Sequence, residues 1–211
     1  ASSSATAFTI GVATPTVTVT VGTYTYNGSA QGPNAATNTG TGTSYTFSYV
    51  GTGSTTYAAS STRPTDAGTY TATVTVAANG NFGSASSGAT SFSIATKDLT
   101  ITANNATKCF GETYTLENTA FTSSGLQNGE TIGSVTLTSS GVSSDAAAAS
   151  YSIVPSEATG GTFTASNYSI NYVNGSLVVN PVSVGGTVAG GATVCSGTNS
   201  TELTLSGHTG S

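Results

Sequence analysis

The stretch Ser61-Thr62-Arg63-Pro64-Thr65-Asp66-Ala67-Gly68-Thr69-Tyr70-Thr71-Ala72-Thr73-Val74-Thr75-Val76-Ala77 decides how the rest of the chain reads. Pro64 presets φ, Asp66 bonds its own backbone and Gly68 accepts positive φ, so these residues mark a turn. Directly after it Tyr70, Ala72, Val74 and Val76 alternate with Thr69, Thr71, Thr73 and Thr75. A period of two with apolar residues on one face and hydroxyls on the other is a half-buried strand. Most readable segments repeat this recipe of polar turn and alternating strand, and none carries a helical period. The expected fold is all-β.

Working outward, Thr16–Val21 alternates Thr with Val, and Tyr24-Thr25-Tyr26-Asn27-Gly28 ends in a turn signal. Gln31–Gly42 reads as an Asn-, Gly- and Thr-rich loop. Ser44–Val50 reads as a strand through Tyr45, Phe47 and Tyr49, and Ala89–Ile94 as another. Farther on, Leu99, Ile101 and Ala103 share one face of a strand, as do Val135 and Leu137 within Ile132–Thr138. Tyr151–Val154 is expected to stop at Pro155. Asn174-Gly175, between Asn167–Val173 and Ser176–Val179, predicts a two-residue hairpin, because a type I′ turn needs φ > 0 twice.

An internal repeat organises these segments. Ser2-Ser3-Ser4-Ala5-Thr6-Ala7-Phe8-Thr9-Ile10 returns as Ser86-Ser87-Gly88-Ala89-Thr90-Ser91-Phe92-Ser93-Ile94, an offset of 84 positions, and each copy is followed by a second strand. The expected organisation is therefore the last strand of a preceding repeat over 1–14, repeats over 15–95 and 96–180, and the start of a further domain over 181–211. The joints near Thr96 and Pro181 are one to three residues long, too short for flexible tethers.

Composition narrows the function. Only 5% of residues are charged, yet ten Tyr, seven Phe and many alternating Val and Thr argue for a folded chain rather than a Ser/Thr/Gly linker. Arg63, Lys97 and Lys108 are the only basic residues besides His208, and net charge is −5, so nucleic acid is not an expected partner. No polybasic or long apolar stretch addresses a membrane.

Chemistry-bearing residues are sparse. His208, the single histidine and so the one base a nucleophilic triad could use, falls in the domain expected to be incomplete and reads as a surface loop histidine. Asp66 belongs to its turn. Glu112, Glu117, Glu130 and Glu157 lie scattered in Gly- and Ser-rich loops with no second acid at a suggestive spacing. Asn104-Asn105 reads as a turn rather than a calcium loop, since no Asp cluster accompanies it. Cys109 and Cys195, with one His, do not make a zinc site, and lying in different repeats they are not expected to bond to each other. Cys109 reads as a buried thiol acting as a small hydrophobe. Gly185-Gly186 and Gly190-Gly191 lack the Gly-Lys-Thr/Ser of a phosphate loop. Lys97 and Lys108, with many Asn, are the ingredients of an isopeptide crosslink, but each is read as projecting from a strand end into solvent. Tyr45, Tyr49, Tyr70, Tyr168 and Tyr172 are expected to fill cores with their hydroxyls at the rim. No catalytic, cofactor-binding or metal-binding residue is assigned and no cofactor is expected.

Thr65-Asp66-Ala67-Gly68-Thr69-Tyr70-Thr71, Tyr26-Asn27-Gly28, Thr100–Lys108 and Asn167–Leu177 resemble repeats of the MBG type, bacterial Ig-like modules of large surface proteins. Gly190–Gly197 resembles a different Ig-like repeat. The mixture is similar to giant, type IX-secreted surface adhesins of gliding Bacteroidetes. The resemblance implies tandem Ig-like antiparallel β-sandwich domains in an elongated, extracellular array on the outer membrane. It implies a non-enzymatic role in surface attachment or gliding motility. The partners it implies are neighbouring repeats, an external surface or polysaccharide, and secretion or motility machinery. It also implies that Cys195 pairs within its own domain, and Cys109 departs from the pattern. The alternative is a polysaccharide-binding module, with exposed tyrosines and the Gln31–Gly42 loop on the sugar.

Overall fold

The computed structural model describes residues 4–182, 187–189 and 204–206. The described residues are all-β apart from one 3₁₀ turn, Ala165–Asn167. The strands are β1 (Val17–Thr20), β2 (Tyr24–Thr25), β3 (Ala35–Asn38), β4 (Tyr45–Gly51), β5 (Gly68–Val76), β6 (Ala85–Ser86), β7 (Thr90–Ala95), β8 (Lys97–Ala103), β9 (Ala106–Cys109), β10 (Phe121–Ser124), β11 (Ile132–Thr138), β12 (Ser150–Gly161), β13 (Tyr168–Val173), β14 (Gly175–Asn180), β15 (Thr187–Ala189) and β16 (Thr204–Ser206).

They form several sheets. In the first repeat β1 pairs with β3, and a second sheet runs β2-β7-β5-β4 with β6 also on β5. In the second repeat one sheet runs β10-β8-β13 and another β11-β12-β14-β9; β15 pairs with β16 separately. Both repeats use one plan: a short early strand lies parallel to the last strand, β2 on β7 and β9 on β14, while the β4–β5, β5–β7, β11–β12 and β12–β14 ladders are antiparallel. Each long central strand also begins alike. The Tyr70 hydroxyl donates to the Asp66 carbonyl at 2.8 Å, and the Tyr151 hydroxyl to the Ala147 carbonyl at 2.9 Å. A tyrosine whose hydroxyl returns four residues upstream pins the turn to the strand it opens.

The chain divides into two compact units that do not follow the sequence repeats. The first gathers the described residues up to Leu99 with Gly125–Glu130 and Thr164–Ser169; the second gathers Thr100–Ser124, Thr131–Phe163 and the described residues from Ile170 onward. In the first, β5 buries Tyr70, Ala72, Val74 and Val76, as its alternation predicts. Phe92 is the hub of an aromatic cluster there, with Tyr70 at 5.4 Å, Tyr24 at 5.8 Å and Tyr49 at 6.2 Å. Such pairs add roughly 0.5–1.5 kcal/mol each beyond burial. In the second, Ala103 of β8 packs with Ile153 of β12 and Leu177 of β14, with Tyr114, Leu116 and Leu137 around them.

Several expectations need correction. Asn174-Gly175 does not close a hairpin, because β13 and β14 belong to different sheets. Neither residue has positive φ. Gly175 is needed for space instead: a Cβ there would lie 2.6 Å from the Ala103 carbonyl oxygen and 2.7 Å from that of Asn104. Pro155 does not stop its strand either; β12 continues to Gly161. The β14 ladder ends at Ile153↔Gly175, so beyond it no partner remains on that side to receive the N–H that proline lacks. A bulge follows, with Ser134 opposite Thr159 but Thr136 opposite Ser156, and Glu157 takes φ 51° in the extra position. Gln31–Gly42 contains β3, whose Ala-Ala-Thr-Asn shows no strand pattern and is held by its ladder to β1. Val21 lies past the end of β1 and is 42% exposed.

Candidate functional site

Three polar constellations stand out, two in the first compact unit and one in the second. The first is a groove of about 540 Å³ beside the turn that opens β5. One wall is the loop after β4. It is fixed by backbone bonds from Gly51 N to the Tyr57 carbonyl (2.9 Å), Tyr49 N to the Ser60 carbonyl (2.8 Å) and Thr55 N to the Thr52 carbonyl (3.0 Å). Tyr57 donates its hydroxyl to the Thr62 carbonyl at 2.7 Å and sets its ring edge-on to Tyr70 at 5.9 Å. The other wall is the Arg63–Gly68 turn. There Asn167, itself buried, accepts from Ala67 N at 2.8 Å and donates to Asp66 Oδ1 at 3.0 Å. Asp66 is therefore committed to holding the turn. Arg63 is half-buried, and its guanidinium makes no hydrogen bond or ion pair with another described residue.

The second constellation joins Tyr26, Glu130 and Tyr168. Both tyrosines are buried, with rings edge-to-face at 5.3 Å. Tyr26 donates its hydroxyl to Glu130 Oε1 at 2.5 Å, Tyr168 donates to Oε2, and Tyr168 accepts from Gln127 N at 2.9 Å. Burial first, then the Glu130 bond, pushes the Tyr168 hydroxyl up to about 12, and the same causes push Tyr26 well above its ordinary value. Tyr49 and Tyr70 are raised as well, chiefly by burial. The cluster is one carboxylate accepting from two phenols, one on each oxygen.

The third constellation surrounds Lys108, which is buried rather than solvated as expected. It is on the inward face of β9, and its ammonium donates to the Glu112 carbonyl at 2.7 Å and to the Ser143 carbonyl. Asp145 nearby is held below the ordinary carboxylate range, first by the Ser143 hydroxyl and slightly by the Lys108 charge. The ammonium staples two loops through their backbones, with no Asn bonded to it. Lys108→Met should lower the stability of the second unit by roughly 1–2 kcal/mol. It leaves two carbonyls unpartnered but also relieves the cost of burying a charge. Urea denaturation reads the change, and an unmoved midpoint would count against the staple.

The remaining weighed residues are dispersed. Glu112 accepts from Cys109 N at 3.0 Å, Glu157 accepts from Thr136 Oγ1 at 3.1 Å, and the Glu117 carbonyl caps a turn at Ala120. Asn105 accepts from Ser176 N at 2.9 Å, and Asn104 N bonds to the Ala120 carbonyl. Cys109 is an exposed free thiol, not a buried one, because in Ala106–Cys109 the alternation gives the inward position to Lys108. Lys97 is half-buried, as are Tyr45 and Tyr172. Among the described residues no three His, Cys, Asp or Glu side chains converge as a metal site would require. Cys195, His208 and the Gly185-Gly186 and Gly190-Gly191 pairs lie outside the described residues. The sequence reading missed Asn167 and Lys108 as polar residues directed inward, and missed Glu130 as the acceptor of two phenols. For Lys108 a signal existed, since Ala106 and Lys108 share the parity of an inward face.

Fold and side chains together define an all-β chain with an internal repeat and a groove lined by hydroxyls. Residues 99–178, within the second repeat, match the family model described as MBG domain (YGX type). Comparison with curated proteins finds no match, and neither does comparison with solved structures.

Proposed function

We propose that the chain is a structural repeat segment of a large cell-surface adhesin, extending and displaying adhesive regions in surface attachment or gliding motility. In this reading 15–95 and 96–180 are tandem Ig-like antiparallel β-sandwich domains of an elongated extracellular array held at the outer membrane. The role is mechanical and non-enzymatic. Partners are neighbouring repeats, an external surface or polysaccharide, and secretion or motility machinery. The observation that carries the reading is the MBG match over 99–178. It is supported by the shared strand plan of the two repeats and by the single residue, Thr96, between β7 and β8. So short a joint restricts swinging where a Gly/Ser tether would not.

Antibodies against the chain, applied to intact and to lysed cells, test the location. The expected result is labelling of intact cells, removed by brief external protease; labelling only after lysis would overturn it. Small-angle scattering on residues 15–180 should give an elongated particle, and a near-spherical one would contradict the array. A second reading, a polysaccharide-binding module, is favoured by one observation: the groove beside Arg63.

A further inference from the structure

We propose that this groove is a subsite for a carboxylated sugar, a hexuronic acid unit of an acidic polysaccharide, with Arg63 holding the carboxylate. The inference rests on the polysaccharide-binding reading and names its ligand class and its residues.

The volume, about 540 Å³, falls within the roughly 300–1,000 Å³ of ligand clefts. Its chemistry is unlike that of a peptide pocket, for the lining holds no Leu, Ile, Val, Met or Phe. Thr56, Thr62 and Thr65 are exposed along it, and a threonine hydroxyl both donates and accepts, as a sugar hydroxyl requires. Tyr57 adds an aromatic surface for the C–H face of a pyranose. Its own hydroxyl is spent on the Thr62 carbonyl, so the ring is held in place before any ligand arrives. A wall already fixed by backbone bonds loses little freedom on binding.

Arg63 sets the charge of the ligand. Its guanidinium carries five donors in a planar fork and matches a carboxylate bidentately. The one acid on the groove, Asp66, is turned to Asn167 and does not pair with it. Half-buried, and with no hydrogen bond or ion pair to another described residue, the Arg63 guanidinium keeps its fork for a ligand. A sugar carboxylate fills that fork, whereas a neutral sugar leaves it unmatched.

Calorimetric titration of the whole chain with oligogalacturonate and with its methyl ester separates the charge from the sugar. The acid is expected to bind at least tenfold more tightly than the ester, and more weakly as salt is raised. Arg63→Gln should remove that advantage while leaving the melting temperature unchanged, and Lys97→Gln, the same charge change outside the groove, should preserve it. Equal binding of acid and ester, or an acid preference that survives Arg63→Gln, would overturn the carboxylate subsite and leave the polysaccharide reading standing. Binding of neither compound would overturn both. Preferential capture of a free peptide carboxylate over the oligosaccharide would assign the groove to a chain terminus and overturn the sugar.

Discussion

Replacing Gly175 by Val is expected to destabilise the second compact unit by roughly 3–5 kcal/mol, beyond the 0.5–3 kcal/mol of most point substitutions. The chain passes at this residue from the sheet of β13 to the sheet of β14, and it does so against the end of β8. The added Cβ would meet two backbone carbonyl oxygens, Ala103 at 2.6 Å and Asn104 at 2.7 Å. Backbone cannot rotate aside as a long side chain can, so β8 or β14 must shift. Either shift disturbs Ala103 and Leu177, both in the core of this unit. Gly88→Ala is the control. A Cβ at Gly88 meets nothing within 4 Å, so its effect should stay within about 0.5 kcal/mol. Thermal melts of the two variants decide the matter, and a Gly175→Val melt matching that of Gly88→Ala would refute the close approach.

Glu130→Ala is the second large effect, expected at roughly 3–5 kcal/mol in the first unit, since hydrogen bonds to a charged group contribute about 1.5–3 kcal/mol each. It removes the carboxylate that accepts from two buried phenols, those of Tyr26 and Tyr168. Glu130→Gln should lose less, because an amide still offers an oxygen to one hydroxyl and a donor to the other. Alkaline pH probes the same cluster. A tyrosine whose value is raised on folding binds its proton more tightly in the native state, so native stability falls as pH rises across the gap. For Tyr168 the contribution is complete below the ordinary 10.0 and is lost as pH climbs through about 12. Tyr168→Phe should therefore flatten the decline of unfolding free energy across that window. With no Trp in the chain, tyrosine fluorescence follows unfolding directly. An identical alkaline slope in wild type and Tyr168→Phe would remove the cluster from the account.

Strand β5 was legible in full from Thr69 to Val76, because its alternation, its turn residues and its β-branched content agree. The same agreement made β4, β7, β8 and β11 readable. β3 was not, since Ala35–Asn38 has no pattern of its own and becomes a strand through the ladder with β1. In the candidate site, Asp66 was placed at the turn before β5, but its carboxylate is bonded by Asn167 rather than by its own backbone, and Gly68 opens the strand without positive φ. The clasp by Asn167 joins residues about a hundred positions apart, and no local pattern encodes such a meeting. Arg63 was visible as one of three cations, but that no other described residue bonds its guanidinium is a property of the folded surroundings.

The repeated Phe-x-Ile sequence divides the two kinds of information. Around Phe92 and Ile94 it forms β7, laddered to β5, with both side chains buried. Around Phe8 and Ile10 nearly the same residues form no strand, and both side chains are 84% exposed. By itself the sequence determined the period, and with it which residues share a face and where turns interrupt it, because those depend on neighbours in the chain. Only the tertiary structure decided which strands pair, that Asn174-Gly175 joins two sheets instead of closing one, and that Lys108 and Glu130 serve the interior. Pairing, close approach and burial depend on groups remote in sequence, and their free energies exist only once those groups have been brought together.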